Sequence, residues 1–236
     1  HSLRRRQRQM CIRDSAICDF IIIYTDFTAP YVKFISPTSG DVVGGIVTIK
    51  ISVTDIYFGG LELYINGSLA TTWSSQGTNT YDWNTTKYAD GPCNLTARAY
   101  DIVGNVAVVT IIVTIDNTKP TVAIYAPAEG EKVRDVVTIL FFWNDTNPDF
   151  CSLYIDGSPI IYWVSPGNHT YDWDTTEYSD GNHTINITAY DYAGNVASCG
   201  IVVVVGNPPV IVIDLPANNS IVGGVVTIRI WSSDKN

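Results

Sequence analysis

Eight Asn-x-Ser/Thr triplets, beginning at Asn66, Asn84, Asn94, Asn144, Asn168, Asn182, Asn186 and Asn218, are the densest chemical signal in this sequence. Chance from the composition would give roughly three, and each triplet offers the side-chain amide to which an N-linked glycan is attached. Asn and Thr are also ordinary turn and strand-face residues, so the same triplets have a purely structural reading. If they are used, the protein is exported by an organism that N-glycosylates.

The other reactive side chains are sparse. His169 and His183 each sit in an Asn-His-Thr triplet, with no Ser or Cys in a recognisable nucleophile motif. No catalytic residue is assigned, and the chain is read as a non-enzyme. Asp101 and Asp191 fall in a recurring Tyr-Asp-x-x-Gly-Asn and could hold a cation such as calcium near Asp116. The preferred reading is that each Asp caps a turn by accepting from its own backbone, which requires no cofactor. Cys151 and Cys199 have inward strand parity near one end of the second repeat, about two strand spacings of ~4.8 Å apart in a three-stranded sheet. Buried thiols are preferred over a disulfide at that separation.

These residues are positioned by a repeat. A shift of 90 positions places Tyr81-Asp82-Trp83 on Tyr171-Asp172-Trp173, and Ala99-Tyr100-Asp101 on Ala189-Tyr190-Asp191. Gly104-Asn105-Val106-Ala107 falls on Gly194-Asn195-Val196-Ala197 in the same way. The match continues beyond both complete copies, into Ile21 to Asp26 at one end and Pro216 to Ile228 at the other. The expected organisation is a leader at 1–15, a last strand of another unit at 16–28, complete units at 30–118 and 120–206, and two first strands at 208–236. The leader carries five arginines, has no apolar segment and resembles translated adaptor sequence more than a signal peptide.

Within a repeat the hydrophobic period is two. Val47, Ile49, Ile51 and Val53 alternate with Thr48, Lys50 and Ser52, as a half-buried antiparallel strand requires. Asn66-Gly67 and Asp156-Gly157 mark tight hairpins, because Gly readily takes the positive φ that primed turns demand. About seven such strands per repeat predict an all-β chain of tandem immunoglobulin-like β-sandwiches. Trp83 and Trp173 are read as core rather than as sugar platforms. Leu140 and Phe142 point outward where the first repeat has Lys50 and Ser52, and Trp231 takes the corresponding outward place further on. This apolar face is an interface candidate, or is covered by the chain's own loops.

The motifs resemble the bacterial and archaeal Ig-like repeats of surface proteins. The resemblance is carried by Pro120-Thr121-Val122, Tyr154-Ile155-Asp156-Gly157, Trp173-Asp174-Thr175-Thr176 and the stretch from Asp180-Gly181-Asn182-His183 to Val196. Repeat one has Pro92-Cys93 in place of Asn182-His183, which makes this His a structural turn position. The resemblance implies modular spacers and binding segments in surface proteins, adhesins and secreted enzymes. The expected function is a spacer or adhesion segment of an extracellular, N-glycosylated, archaeal surface protein or filament. The alternative is a carbohydrate-binding accessory array of a secreted hydrolase. Partners are expected to be neighbouring repeats, subunits of the same protein, or glycans. A net charge of −9 argues against nucleic acid. Apolar runs such as Ile201 to Val205 are strand-sized, far short of the ~20 residues of a membrane-spanning helix.

Overall fold

A computed structural model describes residues 25–206 and 208–233; the leader and the segment from Ile21 to Tyr24 lie outside the described residues. Contacts divide the chain between Ile115 and Asp116. The first unit contains β1 (Tyr31–Ser36), β2 (Val42–Val43), β3 (Ile46–Thr54), β4 (Phe58–Ile65), β5 (Ser68–Trp73), β6 (Gly77–Asn84), β7 (Gly91–Asp101) and β8 (Val106–Ile115). They form a three-stranded sheet, β1-β3-β6, and a five-stranded sheet, β2-β8-β7-β4-β5.

The second unit repeats this plan with β9 (Thr121–Ala126), β10 (Lys132–Val133), β11 (Val136–Asn144), β12 (Pro148–Ile155), β13 (Ser158–Trp163), β14 (Gly167–Asp174), β15 (Gly181–Asp191) and β16 (Val196–Val205). Its sheets are ordered β14-β11-β9 and β10-β16-β15-β12-β13. β17 (Val210–Leu215) and β18 (Arg229–Ser233) form a further antiparallel pair. That pair carries a register shift like those in β1–β3 and β9–β11.

Each complete unit has eight strands, one more than the sequence pattern predicts, because its opening segment serves both sheets. After β1 the chain passes the cis Ser36–Pro37 bond and crosses over, and β2 then pairs parallel with β8. The second unit crosses at Ala126–Pro127 and pairs β10 with β16. A two-residue strand is too short to show a period-two signature.

Alternation places Ile49, Ile51 and Val53 of β3 opposite Leu61, Leu63, Leu95 and Ala97 of the other sheet. In the second unit Ile139, Phe141 and Trp143 face Leu153, Ile185 and Ile187. Burying each large aliphatic contributes ~1.5–3 kcal/mol, and this is what holds the two sheets together. The hairpin turns are as expected, with positive φ at Asn66, Gly67, Asp156 and Gly157.

The recurring motif resolves into construction roles. Trp83 and Trp173 are buried in their cores. Between Tyr and Trp, Asp82 and Asp172 accept from the hydroxyls of Thr48 and Thr138 on the adjacent strand, both at 2.7 Å. The following Thr85 and Thr175 are fully buried and donate to the carbonyls of Gly45 and Asp135. A short 3₁₀ turn begins at each of these threonines. It is capped by Asn84 or Asp174, whose Oδ1 accepts from the amide and hydroxyl of Thr86 or Thr176.

Candidate functional site

The outward strand positions and turn tips place most of the triplet asparagines in solvent. Asn66, Asn94, Asn144, Asn168, Asn182 and Asn218 are exposed, whereas Asn84 and Asn186 are half-buried. Asn84 and Asn66 also have structural duties. Asp174 does the work of Asn84 in the second unit, and Asn66 Oδ1 accepts the Asn94 amide at 2.8 Å much as Asp156 Oδ1 accepts that of Thr184. At those two positions the Asn needs no glycan to account for it. Asn186 lies inside β15 between two neighbouring strands, and the hydroxyl of its triplet partner Thr188 is engaged with Ser198 at 2.9 Å.

The acidic residues converge at one end of each unit. Asp101 comes together with Asp26 and Asp55, and Asp191 with Asp116 and Asp145, their carboxylate oxygens all within 4.8 Å of one another. The sequence reading singled out Asp101, Asp116 and Asp191 but missed Asp26, Asp55 and Asp145. The repeat offset could have found them, since each acid of one group lies 90 positions from its counterpart.

Hydrogen bonds account for much of this arrangement. Asp101 Oδ1 accepts the amides of Val103 and Asn105, and its Oδ2 accepts Asn105 Nδ2 at 2.6 Å. Asp191 bonds Asn195 in the same way, and Asn195 Nδ2 also donates to the Asp116 carbonyl at 3.1 Å. Asp145 Oδ1 accepts the Asn147 amide, while Asn147 Nδ2 donates to Asp116 Oδ2, both at 2.7 Å. Burial pushes the Asp101 carboxyl up, but the donors from Asn105, Gly104 and Val103 outweigh it and leave its pKa lowered. The balance at Asp145 is the reverse: burial, with the charges of Asp116 and Asp191, raises it.

The histidine assigned to a turn lies instead inside β15, in the core. His183 Nδ1 is 2.6 Å from Asp156 Oδ2, and its Nε2 is 2.8 Å from the Ser179 carbonyl. With an acceptor at each nitrogen, the site favours the imidazolium, in which both nitrogens donate. Burial opposes that charge, but the bonds to Asp156 and Ser179 prevail and raise the His183 pKa. Its role is structural. His169 Nε2 likewise meets a backbone carbonyl, that of Ser165, at 2.8 Å.

Cys151 and Cys199, read as thiols in preference to a bridge, are both free in the structure, Cys151 buried and Cys199 half-buried. β15 lies between their strands, with Cys151 opposite Ala189 and Cys199 opposite Ile187. Their sheet also has five strands rather than three. Burial pushes the Cys151 thiol up to about 12, so it does not ionise near neutrality.

Leu140 and Phe142 lie on the outer side of β11 but are half-buried rather than open. Trp231 on β18 is 61% exposed, with its Nε1 donating to Asp214 Oδ2 at 3.4 Å. Among the described residues, no helix is long and apolar enough to cross a membrane.

Comparison with known proteins places these units. The model of the bacterial Ig domain matches residues 30–97 and 120–187, together more than half of the chain. A second model, for bacterial Ig-like domains of group 3, matches residues 73–148. No curated protein matches the chain. Among solved structures, the fibronectin(III)-like modules of Clostridium thermocellum CbhA are 22% identical, with a TM-score of 0.49 over 75% of this chain and 95% of theirs. The titin I-band fragment I67–I69 is 16% identical, with a TM-score of 0.46 over 78% of this chain and 68% of its own. The endo-β-1,4-mannanase of Thermotoga petrophila is 19% identical, with a TM-score of 0.34 over 39% of this chain and 21% of its own. With its two family matches in the same phase of each repeat, this chain belongs to the bacterial Ig domain family.

Proposed function

We propose that the chain is a spacer segment of an extracellular prokaryotic surface protein, and that its outward faces carry N-linked glycans. The observation that carries the reading is the division of labour within the repeat. Recurring Asp, Thr, Trp and Asn residues build turns and cores, while six of the eight triplet asparagines are left facing solvent. Duplicating one unit multiplies length and surface rather than a unique reaction centre. The triplets favour an exporting, N-glycosylating host such as an archaeon. The unit's neighbours in such a protein would be further copies of the same fold or subunits of a common filament.

Intact-mass and glycopeptide analysis of the protein from its native host tests the glycan part. Hexose-containing additions are expected at Asn94, Asn144, Asn168 or Asn182, and none at Asn84. An unmodified chain would remove that part of the reading.

A further inference from the structure

The outer side of the five-stranded sheet differs between the units in a way that spacing alone does not require. In the first unit it is closed. Thr96 and Thr110 face each other across β7 and β8 with hydroxyls 2.9 Å apart. Arg98 pairs with Glu62 at 2.9 Å and lies 5.5 Å over the ring of Tyr100. Tyr64 donates to the same Glu62 carboxylate at 2.9 Å. Thr96, Thr110, Arg98, Glu62 and Tyr64 are thus all paired, and Arg98 covers the ring of Tyr100.

In the second unit the corresponding residues are Asn186 for Thr96, Gly200 for Thr110, Thr188 for Arg98 and Ser152 for Glu62. The cap and the floor are both gone. What remains is an open groove of about 760 Å³ that includes Tyr154, Tyr190, Asn186 and Gly200 in its lining. Its size lies within the ~300–1,000 Å³ typical of small-ligand sites. Tyr190 is backed by Phe150, its ring stacked at 4.6 Å, and Tyr154 shares the groove lining with it. Asn186 Oδ1 is buried with no hydrogen-bond partner, although a buried carbonyl of this kind ordinarily has one. The terminal torsion of Asn is soft, and a turn about it brings this carbonyl oxygen to a donor in the groove.

We propose that this groove binds a neutral glycan chain, with a sugar ring packed against Tyr154 and Tyr190 and a sugar hydroxyl donating to Asn186. The walls combine phenol, hydroxyl and amide groups with the aliphatic side chains of Ile201 and Val202, which matches the mixed apolar and hydroxylated faces of a pyranose. Glu129, at the rim, is committed to the Val202 amide at 3.0 Å and makes the groove unfavourable to anions. Asn186 serves as part of the groove lining and not as an attachment point. The inference does not need the spacer reading, which stands whether or not the groove is filled.

Titration calorimetry of the full chain with cellohexaose, mannohexaose and maltohexaose tests it. At least one should bind saturably. Gly200→Thr should weaken that binding at least about tenfold, a shift read directly from Kd. The first unit already carries Thr at the corresponding position. A Cβ built on Gly200 meets nothing closer than 3.5 Å, so a side chain here begins in ordinary van der Waals contact. Asn186→Thr should act in the same direction, and Thr110→Gly in the first unit should leave the affinity unchanged. The proposal is overturned if none of the three hexasaccharides binds, if Gly200→Thr binds as well as the parent, if only a lysine-rich peptide binds, or if native Asn186 carries a glycan.

Discussion

The two complete units share strand order, crossover, caps and turn acids, yet three of the differences between them bear on behaviour. Where the first has Asn66 with Cys93, the second has Asp156 with His183. Where the first fills its outer sheet face with Thr110 and Arg98, the second has Gly200 and Thr188. Val53 at the end of β3 becomes Trp143 at the end of β11. What stays the same is what two sheets need in order to close on one another. What varies is how each unit handles charge, exposed surface and the filling at one end of its core, so the differences, and not the shared motif, are where specific behaviour is to be sought.

The largest test is of the sameness. Trp83→Ala and Trp173→Ala each empty a fully buried site and should each cost ~3–5 kcal/mol in the unit that carries the change. In denaturant unfolding followed by NMR amide signals of each unit, the two losses should be of similar size. A cost confined to one unit would mean that the cores are not equivalent.

The next concerns the ion pair. Because His183 titrates above its ordinary value, its contribution is complete below the unfolded His pKa of ~6.5 and is lost as pH rises through the raised folded value. The Asp156 carboxyl is lowered, because its bonds to His183 and Thr184 outweigh burial. Its share is therefore complete above the unfolded Asp pKa of ~3.9 and is lost as pH falls through the lowered one. The second unit should have a stability plateau between about pH 4 and 6.5 that the first lacks. Asp156→Ala should remove the plateau and cost ~1–3 kcal/mol. Melting each unit from pH 3 to 9 checks both points, and identical profiles for the two would refute the assignment.

The smallest effect separates the two readings of the acidic groups. If the carboxylates are turn caps, millimolar calcium should leave both melting temperatures within about a degree of those in EDTA. A ligand present at 100 times its dissociation constant would instead add ~2.7 kcal/mol.

Most of the fold was legible in the residues because period-two alternation and Asn-Gly or Asp-Gly turns are local signals. β3, β4 and β7 follow from Val47 to Val53, Leu61 to Ile65 and Leu95 to Ala99 alone. The crossover into β2 was not legible, since two residues cannot show a period. His183 was misplaced because Asn182-His183 follows an Asp-Gly turn closely, and only the pairing with β16 reveals that β15 has already begun. The acidic groups were half-read, because the three acids of each meet only through the fold. The groove had no positive sequence signal: it is made by an absent side chain at Gly200, visible only against Thr110.

The parallel pairing of β2 with β8 gives each unit a mechanical character. The opening segment and the closing strand run side by side, joined in the first unit by Gly40 N to Ile112 O at 2.8 Å and Thr114 N to Asp41 O at 2.9 Å. The second unit repeats this with Gly130 N to Val202 O at 2.7 Å and Val204 N to Glu131 O at 2.8 Å. Tension applied to the two ends of a unit pulls these strands in opposite directions along their length. The bonds are therefore loaded together in shear and do not open one after another. Resistance to pulling is governed by the rate of unfolding rather than by equilibrium stability. A unit of modest thermodynamic stability can on this plan still be a durable link in a chain under load.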